Sequence, residues 1–221
     1  MTVVATPPQA PKTADPETRM VLEPVSWALY QQLLRELGDN RGKRLTYDRG
    51  RLEIMSPSEL HEDVKTIAAR LVETYAAVMR IAIQGYGSMT MDREELEKGL
   101  EPDECYYVQS FDRLPHGRRL DLSVDPPPDL AIKIDISPPA VGKQPIYAAL
   151  GVEEVWRYDG VRFRVMRRSG EGRYVEAQQS ACFPGLPIEE FNRFVRIGLE
   201  SKQPAALDAL LDWLRDTRPA K

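Results

Sequence analysis

Apolar side chains recur at intervals of three and four residues in four segments of the chain, the spacing of a helix with one buried face. These segments predict helices over residues 26–37, 58–78, 188–197 and 204–215. Ser26 and Ser58 stand where N-caps are expected, because a serine side chain accepts a hydrogen bond from the first turn. Gly38 favours the end of the first helix.

Shorter runs of apolar and β-branched residues predict strands. Two hairpins are predicted around Asp48-Arg49-Gly50 and Asp159-Gly160, and further strands over residues 81–91, 105–108, 130–136 and 174–177, with a short helix over 145–150. This order of elements favours an α/β or α+β domain built around one mixed sheet. The chain contains neither a G-x-G-x-x-G nor a Walker-type Gly-Lys-Ser/Thr motif, which argues against a nucleotide-binding fold.

Composition divides the chain into three parts. Residues 1–19 are rich in Pro, Thr and Ala and are predicted to be a disordered tail. Residues 20–200 are predicted to form one domain, and residues 201–221 a C-terminal amphipathic helix and tail. That helix is expected to pack on its own domain, and a homodimer contact is the alternative.

Charge and cysteine content narrow the class of protein. The net charge of −4 argues against a general DNA-packaging role, although a nuclease needs only a local basic strip. Cys105 and Cys182 lack metal-ligand spacing, and no apolar run approaches the ~20 residues that span a bilayer. We therefore expect a cytoplasmic protein with free thiols and no membrane association.

Carboxylates carry the candidate chemistry. Only two histidines are present, and neither lies near a nucleophile motif. Asp103 follows a proline at the start of a predicted strand. Lys133 and Asp135 lie two positions apart in another strand and therefore share a face. Two carboxylates beside a lysine can hold Mg²⁺ and orient a water, but local sequence alone favours an ordinary solvent-facing Lys/Asp pair.

Five stretches, in this order, resemble the Uma-two family of bacterial restriction endonucleases, within the PD-(D/E)XK nuclease superfamily. They are GRLEIMSPS followed by His61-Glu62 (50–62), GSMT (87–90), GLEPDECYY (99–107), DPPPDLAI (125–132) and PIYAALGVEEVWRY (145–158). The match extends from about residue 24 to residue 190. The resemblance implies a restriction-endonuclease-like mixed β-sheet flanked by helices, with residues 20–200 as the endonuclease-like domain.

The resemblance also implies roles for individual residues. Asp103 matches the metal-binding aspartate of the family, and Asp135 matches a further acidic residue that would share the metal. Lys143 matches a lysine on the following helix, and His61 matches a supporting histidine on the long helix. The implied activity is Mg²⁺- or Mn²⁺-dependent hydrolysis of phosphodiester bonds in DNA, with Lys133 or Lys143 stabilising the developing negative charge.

Lys133 departs from the family pattern, which has a glutamate at this position. Two unit charges ~4 Å apart interact by ~4 kcal/mol at an effective dielectric constant of 20, so a cation in place of a metal ligand costs several such units. Either Lys133 acts as the catalytic lysine while Asp103 and Asp135 hold the metal, or the site is impaired, which we favour. The alternative functions are a catalytically silent nuclease-fold protein that binds nucleic acid or a partner protein, and a structural homodimer.

One further basic feature lies in the second predicted hairpin. Its arginines, which could follow a phosphate backbone, are Arg162, Arg164, Arg167 and Arg168. The solvated face of an antiparallel hairpin explains such a strip more simply. We therefore expect these side chains to be an exposed polar surface.

Overall fold

A computed structural model of the protein describes residues 17–38, 42–118 and 120–217. The helices in these ranges are α1 (Trp27–Leu37), α2 (Glu59–Met79), α3 (Gln144–Ala149), α4 (Ile188–Ser201) and α5 (Gln203–Thr217). The strands are β1 (Thr18–Leu22), β2 (Arg44–Asp48), β3 (Arg51–Ser56), β4 (Gln84–Gly85), β5 (Met91–Arg93), β6 (Lys98–Leu100), β7 (Glu104–Tyr107), β8 (Leu130–Ile134), β9 (Glu154–Tyr158), β10 (Phe163–Arg168) and β11 (Tyr174–Ala177).

The first sheet is antiparallel, with the strand order β1-β3-β2-β6-β5. The β2–β3 hairpin turns through Arg49 and Gly50, which both have positive φ, as a two-residue turn that follows the strand twist requires. Helix α1 covers this sheet and stacks Tyr30 on Tyr47, with ring centroids 4.9 Å apart. Only glycine fits at Gly99, because a Cβ there would lie 2.3 Å from Tyr30 Oη.

The second sheet is mixed, with the strand order β11-β10-β9-β8-β7-β4. Only β8 and β9 pair in parallel among the described strands, and α3 forms the crossover between them. The main core lies between this sheet and helices α2, α4 and α5, and includes Trp156, Phe183, Phe191 and Phe194. A second apolar cluster contains Met91 and Leu100 of the first sheet, Ala131 and Val155 of the second, and Tyr147 of α3.

The predicted class, a mixed α/β fold with helices against a sheet, is confirmed. The strands nevertheless form two sheets rather than one. The strand predicted over residues 81–91 is wrong in extent, because only Gln84–Gly85 and Met91–Arg93 are extended there. No helix in the described ranges has the length and apolar character needed to cross a bilayer.

The N-terminal segment departs from the sequence prediction, whereas the C-terminal helix agrees with it. Residues 1–16 of the predicted tail lie outside the described residues, as do residues 218–221. Residues 17–19, assigned to that tail, are part of the fold: Glu17 is buried, and β1 begins at Thr18. Helix α5 packs on α2 and α4 and buries Leu210 and Leu214, so its apolar face is used within the domain. The homodimer stays a prediction.

Candidate functional site

Asp103 lies at the centre of a buried charged cluster. It immediately precedes β7, and its backbone N–H donates to Ile132 O of β8, at 3.0 Å. Its carboxylate is fully buried. Oδ2 accepts hydrogen bonds from Lys133 Nζ at 2.6 Å and from the backbone N–H of Ile134 at 2.7 Å. Oδ1 faces His61 Nε2 at 3.0 Å. Both oxygens are therefore engaged by protein groups.

Lys133 lies in β8 with only 2% of its surface exposed. Its ammonium donates to Asp103 Oδ2 and, at 2.8 Å, to Ile134 O, and it lies 3.9 Å from Asp135 Oδ1. The ammonium thus lies between the two carboxylates that the resemblance assigns to a metal. The exposed Lys/Asp pair expected from local sequence is wrong, since Asp135 is also buried.

Asp135 follows the last residue of β8 and is held by β9. Its backbone N–H donates to Tyr158 O at 3.0 Å, and its Oδ2 accepts from Arg157 Nε at 2.9 Å. Its Oδ1 is buried and has no hydrogen-bond partner within the part of the chain that the structure describes. Asp135 also lines a pocket, so its unpaired oxygen is a candidate acceptor for a ligand.

His61 lies in the first turn of α2, where the Ser58 side chain accepts from its backbone N–H. The buried ring lies between two carboxylates, with Nδ1 2.6 Å from Glu17 Oε1 and Nε2 3.0 Å from Asp103 Oδ1. Burial disfavours a charged ring, but the hydrogen bonds to Asp103 and Glu17 outweigh it and raise the pKa of His61. The ring lies within hydrogen-bond distance of both carboxylates and so orients Asp103.

The charges of this cluster also shift its acidic groups. Burial alone would raise the pKa of Asp103, but Lys133 and His61 hold it well below its usual range. Glu17 is likewise buried, yet hydrogen bonds from His61 and Ser137 and the charge of Arg19 lower its pKa to about 2. Both side chains are carboxylates at any physiological pH.

Three residues of this region were not singled out from the sequence: Glu17, Arg19 and Glu53. Glu53 of β3 is fully buried and accepts from Arg19 Nη1 at 2.7 Å and from the backbone N–H of Ala140 at 2.6 Å. Because Glu53 stands between the apolar residues Leu52 and Ile54 and within the GRLEIMSPS stretch, it could have been identified. Glu17 carries no such signal, since its partners His61 and Ser137 are distant in sequence.

Lys143 precedes α3, and its ammonium lies 3.4 Å from Glu53 Oε1. Burial, together with the charge of Lys133, lowers the pKa of Lys143 to about 8. Beside it is a pocket of about 180 Å³, whose polar lining includes Lys133, Asp135, Lys143, Tyr147 and Arg157. The structure thus brings every predicted site residue into one region. Their roles stay predictions.

The sequence model of the Uma2 (Uma-two) family, described as "Putative restriction endonuclease", matches residues 27–197. The chain belongs to this family. A crystal structure described as that of "a putative nuclease belonging to DUF820" from Anabaena variabilis is similar to this Uma2 protein, with a TM-score of 0.50 and 14% identity. The similarity covers 78% of this chain and 99% of that chain, and it shows the fold alone. No protein with a curated description matches the chain.

Restriction-endonuclease-like families use divalent metals, but the residues of this Uma2 chain do not fit one. Among residues 17–38, 42–118 and 120–217, no three His, Cys, Asp or Glu side chains are grouped so that they could hold a metal ion. Both carboxylate oxygens of Asp103 are within hydrogen-bond distance of protein groups, and the Lys133 ammonium lies between Asp103 and Asp135. The site already contains a cation of its own.

Proposed function

We propose that this Uma2 protein is a nuclease-fold module that binds nucleic acid, in the first instance DNA, and does not cleave it with Mg²⁺ or Mn²⁺. The observation that carries the proposal is the position of the Lys133 ammonium, 2.6 Å from Asp103 Oδ2 and 3.9 Å from Asp135 Oδ1. Membership of a family of nucleases supports nucleic acid as the ligand class.

Electrostatics argues against metal binding beside Lys133. A divalent cation ~4 Å from an ammonium would be repelled by ~8 kcal/mol at an effective dielectric constant of 20. Moving the ammonium away does not remove the difficulty, because Lys133 is buried and its hydrogen bonds to Asp103 and Ile134 would be lost. Breaking a buried charge pair is costly even when forming it contributes little.

The same groups suit binding to a phosphate. The pocket presents the cationic side chains of Lys133, Lys143 and Arg157, which donate hydrogen bonds to phosphate oxygens. The Arg157 side chain is 41% exposed and so extends from the pocket to solvent. A phosphate group of a nucleic acid can therefore approach these donors beside Arg157 without help from a metal.

A cleavage and binding assay tests this proposal directly. End-labelled duplex and single-stranded DNA would be incubated with the protein in Mg²⁺, in Mn²⁺ and in EDTA, and with the Lys133→Glu variant, which restores the family glutamate. We expect the natural chain to bind in EDTA and to leave the DNA intact in every buffer. We expect Lys133→Glu to bind Mn²⁺ by calorimetry and to cleave DNA.

Two controls make the assay decisive. Lys202→Glu produces the same change of charge at the α4–α5 junction, outside the site, and should behave like the natural chain. Metal-dependent cleavage by the natural chain that disappears in Asp103→Ala would establish an active endonuclease and refute the silent module. Failure to bind any DNA at low salt would remove nucleic acid as the ligand.

A further inference from the structure

The pocket beside Lys133 is large enough for a phosphate group. Its volume is about 180 Å³, against ~30 Å³ for each water molecule in the liquid. Its walls come from β8, β9, α3 and the loop between β8 and α3, including Pro139 and Gly142. It therefore belongs to the charged cluster and opens beside Arg157.

Several hydrogen-bond donors in the pocket are not used by the protein. An ammonium has three N–H groups. The Lys133 ammonium donates two of them, one to Asp103 Oδ2 and one to Ile134 O. Tyr147 Oη is buried without a hydrogen-bond partner among the described residues. Burial and the nearby carboxylates raise the pKa of Tyr147 well above its ordinary value, so the phenol keeps its proton. These groups call for a ligand with several acceptor oxygens.

The pocket also contains one unused acceptor. Asp135 Oδ2 accepts from Arg157, but Oδ1 is buried and has no hydrogen-bond partner within the described ranges, because the Lys133 ammonium lies 3.9 Å from it, beyond hydrogen-bond distance. A carboxylate oxygen cannot face an ionised phosphate oxygen favourably, because both carry negative charge and neither has a proton. The ligand that completes the pocket must therefore accept several hydrogen bonds and donate one to Asp135.

This requirement distinguishes the two kinds of phosphate in a nucleic acid. An internal phosphodiester is a monoanion with no proton to donate near neutral pH. A terminal phosphomonoester loses its second proton with a pKa of about 6, so at pH 7 about a tenth of it still carries that proton. The monoester can thus donate to Asp135 while it accepts from Lys133 and Tyr147.

Resting on the proposed function, we infer that this pocket binds the terminal phosphate of a nucleic-acid strand in preference to its internal phosphodiesters. Asp135 Oδ1 is the group that selects, and Tyr147 contributes a donor. The protein then recognises the ends that strand cleavage or processing produces.

Fluorescence anisotropy in EDTA tests the inference with one DNA sequence prepared in three forms: with a 5′-phosphate, with a 3′-phosphate, and with hydroxyl groups at both ends. We expect at least one phosphorylated form to bind about tenfold more tightly than the hydroxyl form, the size of one hydrogen bond between charged groups. A nucleoside monophosphate and inorganic phosphate, added as competitors, should remove this advantage but not the residual binding.

Two variants assign the effect to the pocket, and circular dichroism checks that both are folded. Asp135→Asn replaces the carboxylate by an amide that can donate, so we expect the preference for a terminal phosphate to disappear. Tyr147→Phe removes one donor and should weaken binding of the phosphorylated strand several-fold more than binding of the hydroxyl form. Asp216→Asn, an exposed change of the same kind on α5, should change nothing.

The outcomes separate the two proposals. Equal binding of all three strands would overturn the inference and leave nucleic-acid binding intact. Persistence of the preference in Asp135→Asn would also overturn it, because another group would then be responsible for the selection. Binding of the nucleoside monophosphate without binding of any strand would overturn the inference and the proposed function together.

Discussion

Two regions of the second sheet contain charged pairs of the same chemical types in opposite surroundings. In the site cluster, Lys133 and Asp103 pair at 2.6 Å with 2% and 0% of their side chains exposed. On the β9–β10 hairpin, Arg164 pairs with Asp159 at 3.1 Å and with Glu176 at 3.4 Å, and its side chain is 41% exposed. Both regions were candidates for nucleic-acid contact in the sequence.

The two regions differ in whether water can solvate a charged side chain after its partner has been removed. When an exposed pair is broken, water solvates both partners, so such pairs contribute only about 0.2–1 kcal/mol. When one partner of a buried pair is removed, the other is left without solvent or counter-ion, at a cost of about 3–5 kcal/mol. The arginine strip is therefore a solvated surface that contributes little to stability, while the buried cluster contributes strongly to it.

The largest effect is expected from Asp103→Ala. The substitution leaves Lys133 and His61 buried without their shared carboxylate, so we expect the free energy of unfolding to fall by about 3–5 kcal/mol. Urea denaturation measures it, with Glu176→Ala, on strand β11 beside the exposed hairpin, as the matched control. Equal losses in the two variants would remove the distinction between the regions.

Acid should weaken the cluster through Glu17. Its folded pKa of about 2 lies below the ordinary 4.5, so ionised Glu17 stabilises the fold above pH 4.5, and this contribution is lost as the pH falls towards 2. Glu17→Gln should therefore lower the free energy of unfolding by on the order of 3 kcal/mol at pH 6. Denaturation between pH 2 and 7 checks this, and the two proteins should converge at the acid end. A constant difference across that range would contradict it.

Lys133→Glu should make stability depend on metal. Three buried carboxylates would then converge, and a divalent ion that binds only the folded state stabilises it by about 2.7 kcal/mol at a concentration 100 times its Kd. We expect Mn²⁺ to raise the melting temperature of this variant and to leave that of the natural chain unchanged. A Mn²⁺-induced rise in the natural chain would contradict the account of Lys133 as the built-in cation.

The smallest effect is expected from Arg164→Ala. Its partners Asp159 and Glu176 remain solvated, so the free energy of unfolding should change by less than about 1 kcal/mol, and DNA affinity should be unaffected. Chemical denaturation and anisotropy measure the two quantities. A marked loss of DNA affinity would show instead that the hairpin contacts DNA.

Local patterns in the sequence predicted much of this architecture. Helical spacing identified α1, α2, α4 and α5, and the two-residue period of a strand placed Lys133 and Asp135 on one face. The division into two sheets could not be predicted, because it depends on which edges pair across long distances in the chain. The position of the Lys133 ammonium could not be predicted either, since sequence shows the substitution but not the direction of a flexible side chain.

The contribution of Glu17 and Arg19 shows another limit. Both residues lie within the segment 1–19, whose composition predicts disorder, and composition does not reveal partners elsewhere in the fold. Arg19 nevertheless donates to Glu53 Oε1, and Glu17 Oε2 accepts from both the backbone N–H and the hydroxyl of Ser137. Their role follows only from the antiparallel pairing of β1 with β3.

The attachment of β1 matters for any shortened version of this protein. The sequence invites a cut after residue 19 or 20, where the proline-rich segment gives way to apolar residues. Such a cut would delete both Glu17 and Arg19, and His61 and Glu53 would each lose an oppositely charged neighbour. A truncation intended to remove only a tail would thus remove two residues that hold the site together. A shortened protein that begins before Glu17 would keep both.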